Sequence, residues 1–332
     1  MKQVKITVLS FGSLVCLILC VIASLAFGAR YVRFSEVTDA LLHFDPASIS
    51  HLVVRERIPR TVFGLIAGAS LGVSGVLMQS ITRNPIADPS ILGVNTGASL
   101  FVVSGIAFFQ INTAGQYIWF ALAGAAVTAV FVYGVGSMGQ GGATPIKLAL
   151  AGAATSAALS SLVSAIILPR TDVMNAFRFW QVGSISGATW KGIVSVLPFL
   201  ILGLIIGILA SPALNALALG DDVATGLGVR TGVVRIAGAL AGVLLCGATT
   251  ALAGPIGFVG LMVPHTVRLL CGPNLRLIIP MSAVGGAIVL TLADVAGRLI
   301  GRPSELESGI VTAFLGAPIL IIIAMRTKVR SL

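Results

Sequence analysis

The sequence predicts an all-α integral membrane protein of ten spanning helices, and three observations predict it. The chain of 332 residues is 57% hydrophobic and 10% charged, whereas a soluble domain carries roughly 25% charged residues; it has too little polar surface to cover itself in water. Its apolar residues fall in blocks close to the ~20 residues that cross a hydrocarbon core. Glycines recur four positions apart inside those blocks, a spacing that lets helix backbones approach closely in lipid, where van der Waals contact replaces the hydrophobic drive.

The first block, 6–28, follows Lys2 and Lys5 and carries no charge. It is longer than the ~7–15 residues of a secretion-signal core, so it reads as a first spanning helix. Further spans are predicted at 61–81, 91–110, 117–138, 146–168, 192–211, 234–253, 256–270, 277–297 and 309–325. The second carries Gly64, Gly68, Gly72 and Gly75; the seventh carries Gly238 and Gly242. The seventh and eighth share one apolar run, Ile236 to Val267. Gly254-Pro255 splits it, because proline cannot continue a helix ladder without losing a hydrogen bond, and the short eighth span reads as partly re-entrant. The two halves echo each other as a weak inverted repeat: Arg60 opens a helix leading to Asn84-Pro85, and Arg235 opens one leading to Gly254-Pro255. The whole chain, 1–332, reads as one transmembrane domain.

Ten spans put both termini on one side. The 21 Lys and Arg residues divide almost evenly between the two faces, so the positive-inside bias does not orient the chain; the basic termini themselves favour the cytoplasm. The face opposite the termini is unusually basic, with Arg30, Arg33, Arg55, Arg57, Arg60, Arg298 and Arg302 among its cations. The Arg55–Arg60 cluster reads either as interfacial anchoring or as a docking patch for carboxylates, which arginine grips with two-pronged geometry.

Little else in the chain carries chemistry. Cys16, Cys20, Cys246 and Cys271 lack CxxC spacing and read as buried thiols. Gly134, Gly136 and Gly139 match a dinucleotide fingerprint without the strand it requires. No lysine follows a glycine, so no P-loop is present and the chain is not expected to hydrolyse ATP by the usual phosphate cradle. Asp294 and Arg298 stand four apart and read as a structural ion pair. His265 reads as a packing residue, and His43 and His51 as solvated. Ionisable groups deep in the bundle, the mark of ion-coupled carriers, are scarce, and no cluster suited to a membrane-embedded enzyme or a metal is visible. In 212–228, Pro212 can open a short helix, Gly220 can close it, and Asp221 or Asp222 can cap a second. Such a pair is either a connector or an insert for a motor subunit's groove.

Seven ordered segments together resemble the iron-siderophore, haem and cobalamin permeases of type II ABC importers. They are Arg57-Ile-Pro-Arg60 leading to Gln79, Arg83 to Pro89, Leu92 to Gly97, Leu217-Ala-Leu-Gly-Asp-Asp222, Gly254 to His265, Ala293 to Arg298, and Glu305 to Pro318. The resemblance implies a ten-helix type II ABC importer permease bundle, paired with a second permease subunit, identical or homologous. It implies two ATPase subunits that hold the ATP and Mg, while this chain binds no cofactor, and an extracytoplasmic binding protein that delivers the cargo. Arg57, Arg60 and Arg298 match the family's positions for docking that protein. Leu217, Leu219, Gly220, Asp221 and Asp222 match its coupling helices, and Thr144, Pro145 and Ile146 match its inner gate region. Pro273 to Arg276 departs from the family's usual run. A ferric siderophore is the expected cargo, with haem or cobalamin as alternatives; an ion-coupled secondary carrier is the rival class.

Overall fold

The computed structural model describes residues 2–139 and 144–326. Among these every regular element is a helix, as the composition requires: a backbone in hydrocarbon must satisfy its own hydrogen bonds. The helices are α1 (Lys2–Ala26), α2 (Phe34–Leu42), α3 (Ile49–Thr82), α4 (Val94–Phe109), α5 (Ala114–Gly136), α6 (Pro145–Ile167), α7 (Thr171–Gln181), α8 (Trp190–Leu217), α9 (Asp221–Gly226), α10 (Thr231–Ala253), α11 (Val259–Cys271), α12 (Leu275–Ile300) and α13 (Ser308–Arg326), with a 3₁₀ turn at Pro89–Leu92. Each expected span falls on one helix. Seven of these helices (α1, α3, α5, α6, α8, α10 and α12) are long and apolar enough to cross a membrane; α4, α11 and α13 are shorter apolar helices.

The glycine ladder does what its spacing requires. A methyl group on Gly68 would lie 2.3 Å from the Gly286 carbonyl oxygen, and one on Gly286 would lie 2.0 Å from the Gly68 oxygen. Backbone therefore meets backbone where α3 crosses α12, and any side chain there would force the helices apart. Gly75 meets the backbone of Gly260 on α11 in the same way. Around this axis α3 is mostly buried, while α1 and α6 lie on the rim with only 11% of their apolar windows covered.

Gly254-Pro255 breaks the long apolar run as expected. α10 ends at Ala253, Gly254 turns with φ +72°, and α11 begins at Val259. At 13 residues, α11 rises about 20 Å, short of the ~30 Å core. Its counterpart in the first half is α4, of 16 residues, reached through the irregular link 83–93. The halves thus share a long helix, a break and a short helix.

Four readings are corrected. α3 starts at Ile49 rather than near 61, because Val54 packs against Ala26, Val32 and Val37 and the arginines that suggested a membrane edge find partners inside. α8 runs on through Pro198 and Pro212 to Leu217, so 212–228 is not a pair of short helices but the end of α8 followed by α9. Asp221 and Asp222 lie within the first turn of α9 and do not cap it; Gly220 is the N-cap residue. His51 is not solvated: it is 6% exposed, its Nδ1 accepts the Asp45 N–H at 3.0 Å, and its Nε2 lies 3.4 Å from Asp39.

Candidate functional site

Two polar assemblies interrupt the apolar bundle, one at each end of α3. The first is built where α1 stops. A helix leaves its last four carbonyls without intrahelical partners, and at a membrane edge few waters reach them. Arginines from α3 and α12 supply the donors. Arg57 Nη1 donates to the carbonyls of Leu25 (2.7 Å) and Ala26 (3.0 Å), and its Nη2 donates to that of Arg30 (2.6 Å). Arg298 Nη1 donates to the carbonyls of Ser24 and Phe27, both at 3.0 Å, and its Nη2 to Ser24 Oγ at 2.9 Å. Arg302, just past α12, reaches the Gly28 carbonyl at 2.6 Å. Three cations at the negative end of one helix also complement its dipole.

Asp294 holds this cap together. Its carboxylate takes Arg60 Nη2 at 2.8 Å on one oxygen and Arg298 Nη2 at 3.0 Å on the other. The pair expected from the i,i+4 spacing is therefore present, with Arg60 as a third member that spacing did not show. Asp294 and Arg298 are each 1% exposed. The remaining Arg60 nitrogen, Nη1, meets Glu305 at 2.6 Å, and Glu305 is the accessible member, its side chain 37% exposed. Ser24 Oγ lies 2.7 Å from Thr61 Oγ1 and ties α1 to α3 below the cap.

The structure thus brings Arg57, Arg60 and Arg298 together, but it does not leave them free on the surface. Arg57 and Arg298 are buried and donate to α1's end, and Arg60 is 11% exposed and pairs with two carboxylates. The basic patch read from sequence is in large part a helix cap.

The second assembly lies at the other end of α3. From Arg60 to Arg83 the helix rises about 35 Å at ~1.5 Å per residue, close to the bilayer core's thickness. Arg83 turns the chain out of α3 with φ +49°. Leu217 is fully buried and anchors the end of α8, while Asn215 takes the Leu275 N–H at 3.0 Å and fixes α8 to the start of α12. Gly220 has φ +122°, a conformation costly to residues with a Cβ. It directs the chain into α9, whose Asp221 accepts Arg83 from α3 and Arg235 from α10, the latter at 2.9 Å. Asp222 faces outward. Leu219, Val223 and Leu227 are 66%, 49% and 64% exposed. Leu219 precedes the Gly220 turn and Val223 and Leu227 follow it, so exposed apolar side chains flank the turn on both sides, with exposed Asp222 between them in sequence.

The gate-region residues have local roles. Thr144 caps α6 by accepting the Lys147 N–H, Pro145 occupies the first helical position, and Ile146 is exposed. The preceding residues 140–143 lie outside the described region. Asp88, in the link 83–93, caps the 3₁₀ turn by accepting the Ser90 N–H at 2.9 Å; burial pushes its carboxyl above the ordinary range against that bond. Two polar contacts inside the bundle went unread in the sequence: Arg268 Nη1 to Gln79 Oε1 at 3.0 Å, and Thr250 Oγ1 to Asn95 Oδ1 at 2.9 Å.

Known proteins share this architecture. The family model described as the FecCD transport family matches residues 16–326. The ferric enterobactin transport system permease protein FepD of Escherichia coli (strain K12) is 42% identical over 316 residues, which is 95% of this chain and 94% of that protein. The iron(3+)-hydroxamate import system permease protein FhuB of Bacillus subtilis (strain 168) is 38% identical, with 98% and 87% covered. Among solved structures, a metal-chelate type ABC transporter in an inward-facing conformation matches with a TM-score of 0.82 at 26% identity, covering 98% of this chain and 100% of that one. With ten apolar helices among the described residues and a family match over residues 16–326, the chain belongs to the FecCD transport family, the membrane permeases of ABC importers.

Proposed function

We propose that this permease carries a ferric siderophore across the cytoplasmic membrane of a bacterium, as one half of a permease pair. The observation that carries the cargo assignment is the set of relatives named for enterobactin and ferric hydroxamate, aligned over more than nine-tenths of this chain. Two ATPase subunits supply the energy; they, not this chain, hold the ATP and Mg. Both termini lie in the cytoplasm, with α9 on that side and α1's capped end outside.

The α9 assembly supports the ATPase assignment. Leu219, Val223 and Leu227 offer apolar contact, Asp222 offers a charged edge, and Asp221 passes any displacement of α9 to α3 and α10 through two arginines. At the outer end an extracytoplasmic binding protein delivers the chelate. Its acidic side chain competes with Glu305 for Arg60, while Arg57 and Arg298 hold the surface in shape. The second permease subunit covers the open apolar hollow of about 640 Å³ along Gly309, Ala313 and Ala317, and the chelate passes between the pair. Thr144 to Ile146 stand at the inner mouth of that path.

Uptake of iron-labelled siderophore, haem and labelled cobalamin by a deletion strain, with and without this chain, tests the assignment. Restored siderophore uptake is the expected result. Restoration of haem or cobalamin uptake alone would reassign the cargo within the same machine.

A further inference from the structure

The short helix α2 is not used by any step above. At nine residues it rises about 14 Å and cannot cross the bilayer. Its side chains sort into three groups. Val37 and Ala40 are buried against Ala26, Val32 and Val54. Glu36 and Asp39 are engaged by polar neighbours: Glu36 accepts the Arg33 N–H at 2.9 Å, and Asp39 lies 3.4 Å from both His43 and His51. The third group is apolar and uncovered: Phe34, Leu41 and Leu42 are 56%, 52% and 76% exposed. They recur at i, i+7 and i+8, which places them along one side of the helix.

Position in the chain identifies what covers that side. Only residues 27–33 separate the end of α1 from the start of α2, so α2 lies at the level where a spanning helix leaves the membrane. α1 sits on the rim of the bundle, and α2 packs on α3 beside it. Phe27 and Tyr31, whose rings are 5.9 Å apart, are also exposed at this level; aromatic rings collect at the membrane–water boundary. Arg30 and Arg33 are exposed between them and α2. Apolar stripe, aromatic rings and flanking arginines at one depth are the pattern of a helix lying in the interface.

We propose that α2 is an in-plane membrane anchor, with Phe34, Leu41 and Leu42 seated at the boundary of headgroups and acyl chains and with Arg30 and Arg33 on lipid phosphates. The anchor fixes the depth of α1's capped end, and with it the height at which the arginine cluster meets the outside.

The test places a photoreactive benzoylphenylalanine at Phe34 or Leu42 in the full chain, in nanodiscs of phosphatidylcholine and phosphatidylglycerol. Glu56 serves as the control position: it is exposed at the same end, but it lines a groove of mixed polar and apolar residues with Leu52, Ser186, Thr189 and Trp190 and does not lie on α2. Mass spectrometry is expected to find lipid adducts at 34 and 42 several-fold above those at 56. Parity with position 56, or replacement of the lipid adducts by protein adducts when the binding protein is added, would overturn the proposal. In the Arg30→Gln, Arg33→Gln variant the phosphatidylglycerol share of the Phe34 adducts is expected to fall; an unchanged share would remove the phosphate contact.

Discussion

Asp294 is the residue on which the arginine assembly at the end of α1 turns. It is sealed from solvent and balances two guanidinium groups, so removing its charge leaves Arg60 with Glu305 alone and Arg298 with only carbonyl and hydroxyl partners. Breaking one partner of a buried pair costs about 3–5 kcal/mol, and Asp294→Leu should lower the thermal midpoint of the purified subunit by that measure. Arg298→Lys should fail to restore a normal midpoint in an otherwise wild-type chain, because a single ammonium cannot reach two carbonyls, a hydroxyl and a carboxylate as the planar guanidinium does. Glu305 behaves differently because it is exposed. Its bond to Arg60 is of the surface kind, about 0–1 kcal/mol, and Glu305→Gln is expected to tighten binding-protein affinity up to about fivefold, as measured by titration. Weaker binding would show that Glu305 contributes to the docking surface instead of competing for it. The Asp294–Arg298 pair was readable from a spacing of four. Arg60 as a third member, and the carbonyls that Arg57 and Arg298 cap, were not, because those partners lie on α1 and α3 at long sequence separation.

At the scale of elements, α9 is the part whose role separates most cleanly into surface and core. Leu219→Asp with Val223→Asp changes only exposed side chains, so the subunit should fold with an ordinary midpoint yet lose co-purification with its ATPase. Asp221→Asn should do the opposite: the ATPase stays bound and hydrolyses ATP, but transport falls because Arg83 and Arg235 lose the charge that joins α9 to α3 and α10. Transport and hydrolysis measured on the same proteoliposomes check both; equal loss of the two activities in Asp221→Asn would contradict the linkage. The sequence located this segment but misjudged its shape. Pro212 read as a helix start, yet α8 continues past it because Leu214 and Leu217 are buried in the core. α2 and α7 went unseen for a related reason: each is short, and each buries only two apolar side chains. The spanning helices, by contrast, were legible because a bilayer imposes their length and composition directly.

Across the whole molecule, the two assemblies are joined by one rigid element. α3 carries Arg57 and Arg60 at one end and Arg83 at the other, and it meets α12 backbone to backbone through Gly68 and Gly286. A contact that close transmits displacement without slack, and it was foreseeable from glycines four apart, although α12 as the partner was not. The break at Gly254-Pro255 and the short α11 were foreseeable too, since proline and glycine constrain the backbone locally. The central claim is the proposal that a separate ATPase drives the bundle. The most direct measurement is uptake of ferric siderophore into proteoliposomes that contain the permease pair and binding protein, with the ATPase subunits present or omitted. The account predicts accumulation only when the ATPase and ATP are both supplied; accumulation by the permease without them would contradict it.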